Sequence, residues 1–212
     1  MPPTDILRQS DGASTRVPAT LRIDRATSAL LVVDIQARLV PHIADHAALV
    51  DRTCALLDAA QRLGVPYIAT EHCAAQIGPL VPPIADRLDR DRIFAKTRFC
   101  ATDHPDFRAL LSRTARPQIV VAGMEAHVCV MQTALGIVGL GYDVFIVGDA
   151  VGSRAERQSD RELAIARMRG AGCAIAGTET VLFEWTGGGD DAAFGDVLKL
   201  VKALPPARDR DR

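Results

Sequence analysis

The chain has 212 residues, of which 48% are hydrophobic and 24% are charged, and its formal net charge at pH 7 is -1. This composition predicts one globular domain that is large enough to bury a sizeable core. A near-neutral chain without a basic patch is not expected to bind nucleic acid, and none of its apolar runs approaches the length of a membrane span. The N-terminal stretch MPPTDILRQSDG lacks the apolar segment of a secretory signal, so we expect a cytoplasmic protein.

Five cysteines are widely spaced along the chain and include no CxxC pair, which argues against a disulfide framework and against a zinc knuckle. An acidic residue, a histidine and a cysteine adjoin only at Glu71-His72-Cys73. Consecutive residues of an extended chain point to opposite faces and do not converge on a metal. We therefore predict no metal site and no cofactor.

The pattern of composition divides the chain into three parts. Residues 1–27 are polar and carry three prolines, which predicts a surface arm. Residues 28–204 are predicted to form the folded domain. The last residues, 205–212, are too polar to fold alone and are expected to be a disordered tail.

Within the domain, short apolar runs typical of buried strands alternate with helical patterns. The strands are predicted at residues 28–35, 65–70, 92–96, 119–122, 143–147 and 173–176. The main helices are predicted at residues 43–63, 104–111, from 126 onward, 156–169, 178–185 and 191–204. Such alternation predicts a doubly wound, Rossmann-like α/β fold, in which a six-stranded parallel sheet carries helices on both faces of a single domain.

The helix predicted at residues 43–63 has an apolar side and a stop signal at Gly64. The residues expected on that apolar side are Ile43, Ala47, Val50, Cys54 and Leu57. Residues 74–92 contain three prolines and are expected to form a surface excursion over the rim of a pocket.

Three reactive residues are predicted to stand at strand ends. Asp34 lies at the end of the first strand, Lys96 ends the third, and Cys129 follows the fourth after a turn at Gly123. Because the carboxyl ends of parallel strands share one edge of the sheet, we expect these side chains to meet there. Two alternatives remain open, since an Asp after a strand is equally often a turn cap and a lysine at a strand end commonly just reaches water.

Cys129 is predicted to lie in the first turn of the helix that begins at Ala126. The free N–H groups and the dipole at a helix N-terminus lower a thiol pKa and can hold an oxyanion. Together with a carboxylate that accepts the thiol proton and an ammonium that stabilises the thiolate, this predicts acyl transfer through a thioester. The alternative for Cys129 alone is a buried cysteine that packs as a small hydrophobe.

At these residues the sequence resembles the isochorismatase-like cysteine hydrolase superfamily, over about residues 26–182. The resemblance is carried by the motifs ALLVVDIQ, TEH, AKTRFCA, GMEAHVCV and GYDVFIVGDAVGSR. It implies that Asp34, Lys96 and Cys129 form a catalytic triad. It also implies a cis peptide bond between Met124 and Glu125, with the backbone N–H groups of Glu125 and Cys129 as oxyanion donors.

The same resemblance implies a small-molecule substrate, for which Gln36, Phe99 and His127 are candidate contacts. It further implies a homo-oligomer, a dimer or a tetramer. Apolar residues of the helix after the cysteine, beyond what one buried face requires, also favour assembly: Ile137, Val138 and Leu140.

The predicted reaction is hydrolysis of a C–N bond in an amide or carbamoyl compound. Nicotinamidases of the superfamily bind a metal through an Asp-x-His motif and a further His, which the segment EHCAAQIGPLVPP lacks. Isochorismatases that cleave a vinyl ether lack the nucleophilic cysteine, so Cys129 disfavours that activity. The motif GMEAHVCV is most similar to that of isochorismatase-domain proteins whose substrate is unassigned.

Three other functions are the alternatives. The first is a metal-assisted amidase of the nicotinamidase type, and the second is a catalytically silent binding module of the same fold. A dinucleotide-dependent enzyme is the third and is disfavoured, because no GxGxxG motif follows the first strand.

Overall fold

A computed structural model describes residues 22–206, so the predictions for residues 1–21 and 207–212 lie outside the described part of the chain. Six strands form one parallel sheet in the order β3-β2-β1-β4-β5-β6, which confirms the predicted fold. The strands are β1 (Ser28–Val33), β2 (Tyr67–His72), β3 (Ile93–Lys96), β4 (Gln118–Met124), β5 (Asp143–Gly152) and β6 (Ala174–Ala176). The direction of winding reverses between β1 and β4, and sheets of this kind bind ligands beyond the carboxyl ends of the strands at that place.

Helices cover both faces of the sheet. In chain order they are α1 (His46–Leu63), α2 (Ala74–Ile77), α3 (Pro82–Ala85), α4 (Pro105–Arg113), α5 (Met131–Gly139), α6 (Gln158–Gly170), α7 (Thr178–Thr186) and α8 (Phe194–Ala203). Helices α1, α7 and α8 contribute to the core on one face, and α4, α5 and α6 contribute to the core on the other. None of the helices within residues 22–206 is long and apolar enough to cross a membrane.

Strand β1 shows why the central strands are mostly apolar. Leu30 and Val32 pack into the core beneath α1, whereas Leu31 and Val33 pack into the opposite core. Successive side chains of a strand point to opposite faces, so a strand with both faces covered is apolar at most positions. The exception in β1 is its first residue, Ser28, whose buried hydroxyl accepts a hydrogen bond of 2.8 Å from Trp185 Nε1.

Helix α1 begins later than predicted, and its buried side matches the predicted one only in part, since Ile43 and Leu57 are buried as expected. It starts at His46, after a 3-10 turn at Val40–His42, and ends at Leu63. The predicted stop signal, Gly64, caps it in a left-handed conformation with φ 69. Ala47 is exposed, and Val50 is only half-buried. The buried side consists of Leu49, Thr53, Ala55, Leu56, Leu57, Ala59 and Ala60. The helix carries apolar residues on more than one side, and its packing against the sheet selects among them.

Residues 22–27, which lie within the predicted arm, pack against the domain. The side chain of Ile23 is buried in the core beneath α1, and its backbone N–H donates to Glu184 Oε2 at 2.8 Å. The backbone N–H of Asp24 donates to Gln118 Oε1 at 2.9 Å. The residues directly before β1 are therefore packed against the domain, although they were predicted to belong to a surface arm.

The turn after β4 differs from the predicted one. Strand β4 continues through Gly123 to Met124, and Gly123 has φ 132. A Cβ atom at Gly123 would overlap the carbonyl group of Val33 on β1, so only glycine allows this approach of the two strands. The Met124-Glu125 peptide bond is cis, as the resemblance implied.

A π-helical turn, Ala126–Val130, follows this peptide bond, and helix α5 starts only at Met131. Cys129 therefore lies in a π-helical turn and not in the first turn of an α-helix. The predicted helix start at Ala126 marks the beginning of the π turn.

Candidate active site

Asp34, Lys96 and Cys129 lie together at the carboxyl edge of the sheet. Lys96 Nζ is 2.7 Å from Asp34 Oδ2, and the two side chains are 0% and 1% exposed. The other carboxylate oxygen, Oδ1, accepts a hydrogen bond of 2.6 Å from the hydroxyl of Thr70. Both oxygens of Asp34 are thus held by side chains from β2 and β3.

Strand pairing produces this arrangement. Val33 on β1 pairs with Thr70 on β2, and His72 on β2 pairs with Lys96 on β3. The side chain of Lys96 reaches past β2 to the residue that follows β1, and its Nζ also lies 3.4 Å from the carbonyl oxygen of Phe99. Lys96 is buried, so the alternative of a lysine that reaches water does not hold.

Cys129 is 6% exposed, and its thiol interacts with both Asp34 and Lys96. Burial first, and then the negative charge of Asp34, raises the pKa of the Cys129 thiol to about 12, while Lys96 acts in the opposite direction. The predicted lowering of this pKa is therefore wrong. Desolvation and an adjacent carboxylate outweigh one ammonium group, so the thiol is protonated at neutral pH and faces a carboxylate.

The backbone around Cys129 has the hydrogen bonding of a widened turn. The carbonyl oxygen of Glu125 accepts from the N–H of Val128 at 3.1 Å and from the N–H of Val130 at 3.2 Å. In an α-helix this carbonyl would accept from residue 129. The two donors flank Cys129, whose own N–H lies between them in sequence.

A cavity of about 210 Å³ opens above these groups. Its walls combine four apolar residues with five polar ones, among them Asp34 and Cys129. The nine lining residues are Asp34, Leu39, His72, Ile77, Phe99, Glu125, Val128, Cys129 and Arg154. This volume lies below the range of about 300–1,000 Å³ that is typical of drug-sized ligands, so the cavity has room only for a smaller molecule.

Phe99, a predicted substrate contact, forms part of the wall and is 49% exposed. Its ring lies 5.1 Å from the ring of His72, at an interplanar angle of 35°. Burial and then the charge of Lys96 lower the pKa of His72. The Nδ1 atom of His72 is buried and has no hydrogen-bond partner within residues 22–206.

Gln36, a second predicted contact, lies beneath the cavity wall and is fully buried. Its Nε2 donates to the carbonyl oxygens of His72 at 3.0 Å and Gly78 at 2.6 Å, and its Oε1 accepts from the N–H of His72 at 2.8 Å. The structure places Gln36 outside the nine lining residues, where its amide group joins the chain after β1 to the loop after β2.

His127, the third predicted contact, is turned toward the chain after β5. Its Nδ1 is 2.9 Å from the hydroxyl of Ser153, and its Nε2 is 3.7 Å from Glu125 Oε2. The other oxygen of Glu125 accepts a hydrogen bond of 2.5 Å from Arg154 Nε. These contacts join the turn that carries Cys129 to residues 153 and 154.

The side chains of Glu71 and His72 diverge. Glu71 Oε1 accepts from the backbone N–H of Leu80 at 2.7 Å, whereas His72 lines the cavity. In the described part of the chain, no group of three or more His, Cys, Asp and Glu side chains is placed to hold a metal ion.

Sequence reasoning assigned no role to Thr70, Leu39, Ile77, Val128 and Arg154. Thr70 and Arg154 stand inside the motifs TEH and VGSR, so a signal for them was present. No such signal marked Leu39, Ile77 and Val128, because in the sequence they resemble any other apolar residue outside the strands.

The winding of the sheet and the cavity at its carboxyl edge define an open α/β protein with a cavity beyond its strand ends. A family model described as Isochorismatase domain matches residues 28–180, which is more than half of the chain. The chain therefore belongs to the isochorismatase family, and the resemblance stated from its motifs is confirmed.

Several relatives show how similar the chain is to other members. Isochorismatase domain-containing protein 2 of Xenopus laevis is 33% identical over 89% of this chain and 89% of its own length. The structure named MAR1 ribonuclease from Caenorhabditis elegans is 32% identical, covers 89% of this chain and 99% of its own, and has a TM-score of 0.80.

The protein YcaC is also similar. The Escherichia coli structure, described as an octameric hydrolase of unknown specificity, is 29% identical over 85% of this chain and 91% of its own, with a TM-score of 0.79. The Pseudomonas aeruginosa structure, with hexane-2,5-diol and covalent acrylamide, is 30% identical over 85% of this chain and 91% of its own, with a TM-score of 0.78. The chain is thus an isochorismatase-family hydrolase.

Proposed function

We propose that this protein hydrolyses a C–N bond of a small amide or carbamoyl compound through a thioester on Cys129. The observation that carries the proposal is the buried ion pair of Asp34 and Lys96, which interacts with the thiol at the floor of the cavity. A buried charge pair is expensive to keep out of water, and such pairs next to a nucleophile are frequent in active sites.

In the first step, the thiol of Cys129 passes its proton to Asp34 as the sulfur attacks the carbonyl carbon of the substrate. A thiol with a pKa of about 12 needs such a base at neutral pH. Lys96 transfers no proton in this scheme, and its positive charge offsets the negative charge that develops on sulfur.

The carbonyl oxygen of the substrate becomes an oxyanion in this step. We assign its stabilisation to the backbone N–H groups of Glu125 and Cys129. Support comes from the π-helical turn, in which the Glu125 carbonyl bonds to the N–H groups of Val128 and Val130. The Glu125 carbonyl therefore does not take the N–H of Cys129, and we assign that donor to the oxyanion.

The second step breaks the C–N bond. Asp34 returns its proton to the departing nitrogen, and the acyl group remains on sulfur as a thioester. Water then attacks the thioester while Asp34 accepts one of its protons, and the acid leaves as the thiol is restored. The Pseudomonas aeruginosa YcaC structure contains covalent acrylamide, which is itself a small amide. A similar protein can thus form a covalent bond to such a molecule, and in this chain we assign the nucleophile to Cys129.

Ammonia release from a panel of small primary amides and carbamoyl compounds tests the proposal. Cys129→Ser should keep the fold and lose at least a thousandfold in rate, because an alkoxide forms far less readily than a thiolate. Cys173→Ala is the matched control, since Cys173 is also buried and desolvation raises its thiol pKa to about 11. Equal rates of ammonia release in Cys129→Ser and wild type would refute the assignment of Cys129 as the nucleophile.

Metal-assisted hydrolysis is an alternative with its own test. In our scheme Glu71 and His72 hold no metal, so dialysis against a chelator should leave ammonia release unchanged. A loss of rate that zinc or manganese restores would favour the metal-dependent amidase.

Ribonuclease activity is the second candidate, because a similar structure carries that name. RNA binding requires cationic groups that are free to meet phosphates. At the cavity, however, Lys96 pairs with Asp34, and Arg154 pairs with Glu125. Incubation of wild type and Cys129→Ser with a single-stranded RNA should show no cleavage that depends on the cysteine.

We also propose that the chain forms a homo-oligomer. Leu163 on α6 is 69% exposed, and Leu140 at the end of α5 is also exposed, whereas Ile137 is buried and no longer supports the prediction. The related Escherichia coli YcaC is described as octameric. Light scattering should give a mass above 22.7 kDa, and a monomer across micromolar concentrations would contradict the proposal.

A further inference from the structure

One wall of the cavity carries opposite charges that are joined to each other. Arg154 Nε lies 2.5 Å from Glu125 Oε1, and both residues line the cavity. The Glu125 side chain is 9% exposed and that of Arg154 is 38% exposed. The carboxylate is therefore the buried partner, and the guanidinium is the one nearer to solvent.

The charges around the cavity leave no net attraction for an anion. Lys96 is paired with Asp34 on the floor, and Arg154 is paired with Glu125 on the wall. A third carboxylate, Glu156, lies 3.6 Å from Arg154 Nη1. Each cation at the cavity is thus matched by a carboxylate, so the carboxylate of a ligand would find no uncompensated positive charge there.

Apart from the imidazole of His72, the remaining walls are apolar. Leu39, Ile77, Phe99 and Val128 surround the space above the thiol. An apolar wall binds a hydrocarbon portion of a ligand and offers no compensation for a charge that loses its water.

From these contacts we propose that the ion pair of Glu125 and Arg154 determines substrate charge, so that the cavity takes uncharged small amides with an apolar acyl group and rejects carboxylate-bearing ones. This inference rests on the proposed function, since it names the substrate class of the same cavity. Glu125 neutralises an arginine that would otherwise bind a carboxylate through its planar donors. Removal of the Glu125 carboxylate should then turn the same wall into an anion receptor.

The rate of Cys129 alkylation by iodoacetamide and by iodoacetate, followed by mass spectrometry, tests the inference. The two reagents are nearly isosteric and differ by one negative charge, and neither reaction requires amide hydrolysis. At one fixed pH, we divide the rate with iodoacetamide by the rate with iodoacetate at Cys129. This ratio is then divided by the same ratio for glutathione, which gives the normalised ratio. The ratio cancels any change in the reactivity of the thiol that affects both reagents equally, and circular dichroism checks that each variant is folded.

In wild type the normalised ratio should favour iodoacetamide. Glu125→Gln should reduce it by about tenfold, because one unit of negative charge leaves the wall. Arg154→Gln should increase it, and the double variant Glu125→Gln with Arg154→Gln should return it to near the wild-type value. Glu156→Gln is the matched control, since Glu156 lies near Arg154 but outside the cavity lining, and it should change the ratio by less than Glu125→Gln does.

The outcomes separate the inference from the proposed function. Equal normalised ratios in wild type, Glu125→Gln and Arg154→Gln would overturn the charge selection and leave the proposed hydrolysis intact. The expected ratios combined with no hydrolysis of any uncharged amide would overturn the proposed function and leave the charge selection standing.

Discussion

The floor and the rim of the cavity are built in different ways. The floor consists of Cys129 and Asp34, and Thr70 on β2 and Lys96 on β3 each bond to Asp34. All four residues are buried. The rim consists of Leu39, Ile77, Phe99 and Arg154, which lie in loops or turns, or in the short helix after β2, and are half-buried or exposed.

This difference separates two tasks. Paired strands hold the floor groups at fixed distances, which suits proton transfer, because small displacements there are costly in rate. Loop residues of the rim can change without disturbing the sheet, which suits the choice of substrate. We therefore expect floor variants to affect chemistry and stability, and rim variants to affect substrate binding.

The largest expected effect comes from Asp34→Asn. The variant keeps the shape of the side chain but cannot accept the thiol proton or return it to the leaving nitrogen, so hydrolysis should fall by roughly 10²- to 10⁴-fold. Alkylation of Cys129 by iodoacetamide should become faster, because the Asp34 charge raises the thiol pKa and its removal lowers that pKa. Parallel losses in hydrolysis and alkylation would contradict the role of Asp34 as a base.

Lys96→Met should have a smaller effect on rate and a clear effect on stability. The variant leaves Asp34 buried without its cation, which should lower the free energy of unfolding by about 3–5 kcal/mol in a denaturant titration. Alkylation of Cys129 should slow, because Lys96 lowers the thiol pKa.

Lys199→Met is the matched control for Lys96→Met, because Lys199 forms a surface pair with Asp196 and is 80% exposed. Its loss should change the free energy of unfolding by less than about 1 kcal/mol. An unchanged alkylation rate in Lys96→Met would show that the lysine only holds Asp34 in place.

The smallest effect is expected at the rim. Phe99→Ala should change the free energy of unfolding by less than about 1 kcal/mol, since half of the side chain is already exposed. The KM for amides with an apolar acyl group should rise by about three- to tenfold at nearly constant kcat, because an apolar wall is lost. Phe183→Ala, a change outside the cavity lining, should leave KM unaltered. A fall in kcat as large as that of Lys96→Met would erase the distinction between floor and rim.

The sequence by itself determined the sheet and the meeting of the reactive residues. Continuous apolar runs located β1 and β4 because both faces of a central parallel strand are covered. Parallel strands then bring their carboxyl ends to one edge, so Asp34, Lys96 and Cys129 were expected together although they are far apart in the chain.

The tertiary structure alone decided how those residues are surrounded. The buried side of α1, the bond from Thr70 to Asp34, the ion pair of Glu125 and Arg154, and the raised pKa of Cys129 all depend on groups remote in sequence. Local patterns report which residues are apolar or charged. Desolvation and charge pairing depend on which residues become neighbours in space, and only the packed fold determines that.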